Sequence, residues 1–98
     1  MSKHKRRQRD KYRWEFQIGT AIVVSEPKYT YAYYEEMAMK MGIRKRWAIK
    51  FKPEQGDILK IIARELHPDN GREIYGVYNA DLYPHVCIMD AEGFRKYS

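Results

Sequence analysis

The strongest constraint on the fold of this chain is an alternation of apolar and polar residues with a period of two. It covers residues 12–18, and its apolar parity consists of Tyr12, Trp14, Phe16 and Ile18. Because successive side chains of a strand point to opposite faces, the alternation predicts a half-buried strand. β-branched residues extend this strand past Gly19 to residue 24, and Pro27 ends it because proline cannot donate to a ladder.

A second alternation follows Gly42. One parity carries Ile43, Lys45, Trp47, Ile49 and Phe51. The other parity is basic and carries Arg44, Arg46, Lys50 and Lys52. This pattern predicts a strand over residues 43–51 whose outer face is a basic row, with Trp47 turned toward the core.

Two segments have the spacing of helices. Thr30 is a suitable N-cap for a helix over residues 31–41, and Gly42 stands where a C′ glycine is expected. The apolar face of this helix would carry Tyr34, Met37, Ala38 and Met41. Asp57 is a suitable cap for a second helix that ends before Pro68. Its buried side would carry Ile58, Ile61, Ile62 and Leu66.

The C-terminal third of the chain is typical of strands and turns. Residues 67–71 predict a tight exposed turn after the second helix, since proline presets φ and glycine accepts a positive φ. Residues 73–78 and 83–89 predict strands, and residues 90–93 a further turn. The sequence therefore predicts an α+β fold, a small single domain over residues 12–98 with about four strands and two helices.

A basic arm precedes the predicted domain. The chain has a formal net charge of +6, and its first 13 residues account for that charge, with Asp10 as their one acidic residue. The basic residues of this stretch are Lys3, Lys5, Arg6, Arg7, Arg9, Lys11 and Arg13. Such a self-repelling segment is usually flexible until it meets an anionic surface, so residues 1–11 are expected to be a flexible arm.

The residue types that catalysis needs are not brought together by any motif. The serines are Ser2, Ser25 and Ser98, no phosphate-binding glycine motif occurs, and His85 and Cys87 lack a CxxC or HxxxH partner. We therefore expect no enzyme activity, no metal and no cofactor. The chain has a single cysteine, and we identify neither a signal segment nor an apolar run long enough to span a membrane. These features favour a soluble protein in the reducing cytoplasm.

Two features point to binding. The arm and the row from Arg44 to Lys52 suit a phosphate backbone, which predicts direct DNA or RNA binding. The second feature is the predicted turn, whose partner-binding candidates are His67, Pro68, Asp69 and Asn70. An exposed proline there is accessible to partners that recognise X-Pro bonds, including prolyl isomerases.

The tripeptide His67-Pro68-Asp69, after residues 63–66, resembles the junction of a J-domain cochaperone, where a basic helix ends and engages an Hsp70. Against this, a J-domain is all helical, whereas the two alternations predict strands.

A wider resemblance covers the whole chain. The basic arm, the run Tyr31-Ala32-Tyr33-Tyr34-Glu35-Glu36 and the Pro68 turn are similar in size and general character to the anti-RecBCD proteins of lambdoid phages. The resemblance implies binding to the host RecBCD helicase-nuclease, which changes its processing of DNA ends so that phage recombination can use them. Within that interpretation Pro68 is our candidate for docking a host cyclophilin. Direct nucleic-acid binding and the J-domain interpretation remain as alternatives.

Overall fold

A computed structural model of the chain describes residues 12–31, 35–44, 52–82 and 85–98. Within these residues the fold is one antiparallel sheet of six strands. The strands are β1 (Ala21–Val24), β2 (Thr30–Tyr31), β3 (Ile58–Leu66), β4 (Glu73–Tyr78), β5 (Val86–Asp90) and β6 (Phe94–Lys96). The α-helix of the described part is α1 (Glu35–Lys40), and 3₁₀ turns lie at Pro27–Tyr29, Ala80–Leu82 and Ala91–Gly93. The predicted α+β fold of four strands and two helices is therefore wrong, because sheet dominates.

The sheet is curled, and its strand order explains why. The order is β2-β5-β4-β3-β1-β6, so β5 and β6 lie four positions apart although they are consecutive along the chain. A flat sheet would separate them by about 19 Å at about 4.8 Å per strand, whereas the 3₁₀ turn that joins them rises only about 2 Å per residue. The sheet therefore bends until the connections meet: Gly93 O accepts from Ser25 N at 2.9 Å and from Glu26 N at 3.0 Å.

A β-bulge divides β3 into two parts. Ile61 pairs with Val77 and Ala63 pairs with Gly76, so Ile62 is an extra residue without a pairing partner on β4. Before the bulge, Ile61 packs into the core on one face of the sheet, and after it Ala63 packs into a separate core on the other. We call these the first face and the second face.

The first face carries the larger core. Its buried members are Phe16, Ile22, Val24, Leu59, Ile61, Tyr75, Val77, Cys87, Met89 and Phe94. Residues 12–17 cross this face, with Phe16 buried and Trp14 half-buried, but they form no strand. The predicted strand over residues 12–18 is thus wrong before β1, although its extension ends at residue 24 as expected. Of the apolar parity, Phe16 and Trp14 pack on the core, whereas Tyr12 and Ile18 are exposed.

The second face is covered in part by α1. Met37, Ala38 and Ile43 pack on Ala63, Ile74, Val86 and Ile88. The helix ends in a Schellman motif, in which Ile43 N donates to Ala38 O at 2.8 Å and Gly42 N donates to Met39 O at 3.1 Å. Gly42 has φ of +78°, which confirms it as the C′ residue. The close approach of Ile43 requires a glycine at position 76, because a Cβ there would lie 2.8 Å from Ile43 Cδ1.

The two helical predictions have different outcomes. The predicted helix from Asp57 to Leu66 is wrong, because this segment is β3, with alternating burial from Ile58 to Ala63. The predicted helix over residues 31–41 is confirmed at Glu35–Lys40, where Met37 and Ala38 of its expected apolar face are buried, but Thr30, its expected cap, lies in β2. Long-range pairing decides both, since β2 pairs with β5 and β3 pairs with β1 and β4.

The strands predicted near the C-terminus agree better with the structure than the helices do. The strand over residues 73–78 is confirmed with its bounds as β4, and β5 occupies the end of the segment predicted as strand over 83–89. The turn predicted over residues 90–93 is a 3₁₀ turn at Ala91–Gly93, with Asp90 at the end of β5, whereas β6 was not predicted. Of the strand predicted over residues 43–51, residues 45–51 lie outside the described residues, as does the arm over residues 1–11, and Ile43 and Arg44 form no strand.

Candidate functional site

The predicted turn is the tip of the β3–β4 hairpin, so it follows a strand and not a helix. We call residues 67–71 the hairpin tip. His67 N donates to Arg72 O at 2.8 Å, Gly71 N donates to His67 O at 2.9 Å, and Gly71 has φ of +71°. Pro68, Asp69 and Asn70 are exposed and His67 is half-buried. The structure thus brings the four predicted partner-binding residues together in one turn.

Side chains of the hairpin tip hold its backbone from within. Asn70 Oδ1 accepts from Arg72 N at 2.9 Å, and His67 Nδ1 accepts from Asp69 N at 3.1 Å. The His67 ring also lies near the Tyr31 ring, with 6.3 Å between centroids. Short side chains that satisfy nearby backbone groups favour a turn over regular structure, so the tip has a defined shape while its outer atoms face solvent.

A bidentate ion pair anchors the base of the hairpin tip. Arg72 Nε donates to Asp90 Oδ2 at 2.7 Å, Arg72 Nη2 donates to Asp90 Oδ1 at 2.9 Å, and Oδ1 also accepts from Glu92 N at 2.9 Å. Burial raises the pKa of Asp90, but the hydrogen bonds from Arg72 and Glu92 N lower it more, so the pKa lies below its usual value. The hydrogen bond to Asp90 raises the pKa of Arg72, so both charges persist at neutral pH.

A second polar cluster on the first face fixes the segment before β1. The Tyr75 hydroxyl donates to Glu73 Oε1 and accepts from Phe16 N at 3.1 Å, while Tyr12 Oη donates to Glu73 Oε2 at 2.9 Å. Burial, followed by the hydrogen bond to Glu73, raises the pKa of Tyr75, and the same carboxylate raises the pKa of Tyr12 through its hydrogen bond. The cluster is therefore a structural clamp, with its hydroxyls protonated at neutral pH.

Arg64 completes this clamp. Its Nη1 donates to Phe16 O at 3.0 Å, and its guanidinium lies 5.0 Å from the centroid of the Trp14 ring. Trp14 is thus half-buried and already engaged by this cation and by neighbouring aromatic rings. No local sequence signal marks Arg64, Glu73 and Trp14 as neighbours, because the sheet brings them together from distant positions.

We call the predicted phosphate-binding residues of the arm and of the row from Arg44 to Lys52 the basic patch. The structure describes two of them, Arg44 and Lys52, and both are exposed. The other members of the patch lie outside the described residues: Lys3, Lys5, Arg6, Arg7, Arg9, Lys45, Arg46 and Lys50. Lys52 shares a surface concavity of about 390 Å³ with Lys28, Thr30, Pro27 and Pro53. Lys28 also pairs with Glu26 at 3.5 Å, so part of its charge is already compensated.

The residue types that bind metals or act as nucleophiles are dispersed among the described residues. Within them no group of three His, Cys, Asp or Glu side chains is arranged to hold a metal ion. Cys87 is buried, and burial followed by the charge of Asp57 raises its pKa to about 12, so the thiol stays protonated and is a poor nucleophile or ligand.

Among the helices of the described residues, none has the length and apolar character needed to span a membrane.

No protein-family model, curated protein or solved structure matches the chain.

Proposed function

We propose that this chain is a non-catalytic cytoplasmic protein that binds the host RecBCD helicase-nuclease through the hairpin tip and modulates its processing of DNA ends in favour of phage recombination. The choice of RecBCD comes from the resemblance of the chain to the anti-RecBCD proteins of lambdoid phages. A docking role is supported by the exposure and the fixed shape of the hairpin tip. It is exposed at Pro68, Asp69 and Asn70 and held in one shape by its own hydrogen bonds.

A hairpin tip that is already ordered before binding increases the affinity for a partner. A flexible loop loses conformational entropy when a partner fixes it, whereas a loop already held in its bound shape loses less. The Arg72–Asp90 ion pair and the Asn70 hydrogen bond supply this order without occupying the outer face of the tip. The tip contributes only part of a stable interface, since such interfaces bury about 800 Å² per partner.

The test is binding of immobilised chain to purified RecBCD, with degradation of linear duplex DNA as a second readout. We expect Asp69→Ala to weaken binding about tenfold, because a central contact residue is often worth more than 1 kcal/mol. Asp81→Ala is the matched control, since Asp81 is also exposed and its backbone N–H also donates to the side chain two residues earlier, Asn79 Oδ1 for Asp81 and His67 Nδ1 for Asp69. Equal affinities of the two variants, or no binding by the wild type, would contradict the proposal.

Pro68 carries a separate part of the proposal, the docking of a host cyclophilin-type prolyl isomerase. Its exposure at the hairpin tip supports access to the bond that precedes it. A purified bacterial cyclophilin should bind the wild type and lose affinity for Pro68→Ala, measured by calorimetry. Unchanged affinity of the variant would remove this role from Pro68 and leave RecBCD binding untouched.

Direct DNA or RNA binding by the basic patch is the second candidate function. Lys52 supports it, because this exposed member of the patch lines a concavity of about 390 Å³ together with a second lysine, Lys28. The J-domain alternative has no such support, since His67, Pro68 and Asp69 follow a strand where a J-domain has a helix. Binding of duplex DNA that weakens steeply between 50 and about 200 mM salt would favour the basic patch over the hairpin tip.

A further inference from the structure

Part of the second face is left uncovered by α1. Over β6, β1 and the first half of β3, the strand register places one set of side chains on this side. Val23 pairs with Arg95 and with Ile58, and Ala21 pairs with Lys60. Tyr97 N donates to Ala21 O at 3.0 Å, which places Tyr97 beside Ala21 in the next row. We call the surface formed by Ala21, Val23, Ile58, Lys60, Ile62, Arg95 and Tyr97 the open face.

The open face combines exposed apolar side chains with two exposed cations. Ile58 is 50% exposed, Tyr97 49% and Ile62 37%, and Lys60 and Arg95 are also exposed. The bulge contributes here, because it leaves Ile62 unpaired and on the second face, near the position that a Gly76 Cβ would occupy. Bulges often direct a side chain toward a functional surface.

A groove of about 620 Å³ continues the open face at one side. It is lined by Ile18, Gly19, Ile61, Ile62, Tyr78 and Ala80. Tyr78 pairs with Lys60, so Tyr97, Ala21, Lys60 and Tyr78 form one row across four strands. The two tyrosines at the ends of the row are about 14 Å apart at about 4.8 Å per strand. Ile18, which is 51% exposed, forms the outer wall of the groove.

The charge of the open face has one sign. Lys60 and Arg95 are its charged residues, and among the described residues no ion pair joins either to a carboxylate. Lys28 and Arg72, by contrast, are paired with Glu26 and Asp90. Two uncompensated cations among exposed aliphatic and aromatic groups complement a ligand that is anionic and has flat apolar parts.

We propose that the open face binds single-stranded nucleic acid, with a base stacked on Tyr97 and with Lys60 and Arg95 contacting backbone phosphates. Unpaired bases stack on aromatic side chains of a sheet surface, and cations beside them follow the backbone. A duplex does not suit this surface, because its bases are already stacked and no helix within the described ranges projects from the open face to enter a groove. The site is separate from the hairpin tip, which lies at the opposite end of β3.

The test is fluorescence anisotropy with a 5′-fluorescein-labelled oligomer of 15 thymidines, titrated with the full chain at several salt concentrations. Tyr97→Ala should weaken binding about tenfold or more, because stacking of one base is worth about 5- to 150-fold in affinity. Tyr97→Phe keeps the ring and should bind like the wild type. Arg95→Ala should lower the slope of log affinity against log salt by about 0.7, the value for one phosphate contact of a single strand.

Lys96→Ala is the matched control, since Lys96 follows Arg95 on the same strand and its side chain has the opposite orientation. Both substitutions remove one exposed positive charge, so a difference between them comes from the face and not from net charge. Equal effects of the two substitutions, no binding of the oligomer, or preferential binding of labelled poly-glutamate would overturn the proposal. A RecBCD-binding defect of Asp69→Ala tests the proposed function independently.

Discussion

The two halves of the second face are built on neighbouring strands but have opposite fates. Over β4 and β5, Ile74, Val86 and Ile88 lie under α1 and are buried. Over β1 and the start of β3, Val23 is half-buried and Ile58 is half-exposed, with no described element above them. Strand residues of one chemical type therefore become core or surface according to what crosses the sheet above them.

Charge separates the two halves as clearly as burial does. At the margin of the covered half, Asp90 is buried but paired with Arg72 and hydrogen-bonded to Glu92 N. In the open half, Lys60 and Arg95 are exposed without such pairing among the described residues. A buried charge needs a partner to be tolerated, whereas an exposed charge keeps its water shell and stays available for a ligand.

The largest expected effect is the loss of a covered isoleucine. Ile74→Ala should lower the free energy of unfolding by about 2–5 kcal/mol, because the side chain is fully buried and its removal leaves a cavity. Ile58→Ala, the matched change in the open half, should lower it by less than about 1 kcal/mol. Urea denaturation of both variants measures the difference. Similar losses would show that the open half is packed against something that covers it.

The next effect concerns the buried charge. Asp90→Asn should lower the free energy of unfolding by about 1–3 kcal/mol at pH 7, since it removes the ion pair with Arg72. The pKa of Asp90 is depressed in the folded state, so the wild-type advantage is complete above the ordinary carboxyl pKa of about 3.9 and is lost as the pH falls further. Denaturation midpoints measured from pH 7 to about 3 check this convergence. A constant difference would contradict it.

A smaller effect tests how closely the chain after α1 approaches the covered half. Gly76→Ala places a Cβ 2.8 Å from Ile43 Cδ1, and we expect a loss of about 1 kcal/mol because that methyl group must move. Combining Gly76→Ala with Ile43→Val removes the clashing methyl group. Thermal denaturation of the single and double variants forms a mutant cycle, in which the double variant should be more stable than the sum of single effects predicts. Strict additivity would contradict this close contact.

The smallest effect lies in the open half. Lys60→Gln should change the free energy of unfolding by less than about 0.5 kcal/mol, because Lys60 is exposed and outside any described ion pair. The same variant should weaken oligothymidine binding, so stability and binding separate at this residue. A stability loss above 1 kcal/mol, seen by urea denaturation, would assign Lys60 to the fold instead.

Local signals in the sequence were sufficient where the local chain decides the structure. Gly42 ends α1 as its position indicated, and Pro68 and Gly71 mark a real turn. The strand β4 has its predicted bounds, because its apolar residues are bracketed by the Asn70–Gly71 turn and by Asn79. These features depend on the backbone preferences of a few adjacent residues.

The segment Ile58–Leu66 shows why the rest was not predictable. Ile58, Ile61 and Ile62 have helical spacing, whereas Leu59, Ile61 and Ala63 have strand spacing, and only the second set is buried. The alternation of burial ends at Ala63, since the residues that follow it, 64–66, are all half-buried. Pairing with β1 and β4 settles the conflict, and neither partner is visible in the local pattern.

The candidate site was predictable in part for the same reason. The hairpin tip was found because its residues are adjacent, although the preceding element was assigned the wrong type. The open face was missed, because Tyr97, Val23 and Lys60 meet only through strand register. Its cations sit among apolar residues on three strands and form no charge run that a sequence would display.

The pairing of β1 with β6 has a consequence for how the protein is made. A ribosome adding about 5–20 residues per second releases β1 long before Phe94–Lys96 has been synthesised. During that interval one edge of β1 has no partner and the first-face core lacks Phe94. Folding can finish only after synthesis reaches this strand, and such distant pairing is typical of chains that fold in milliseconds to seconds. Nascent chains halted before β6 are therefore expected to be substrates for chaperones and proteases.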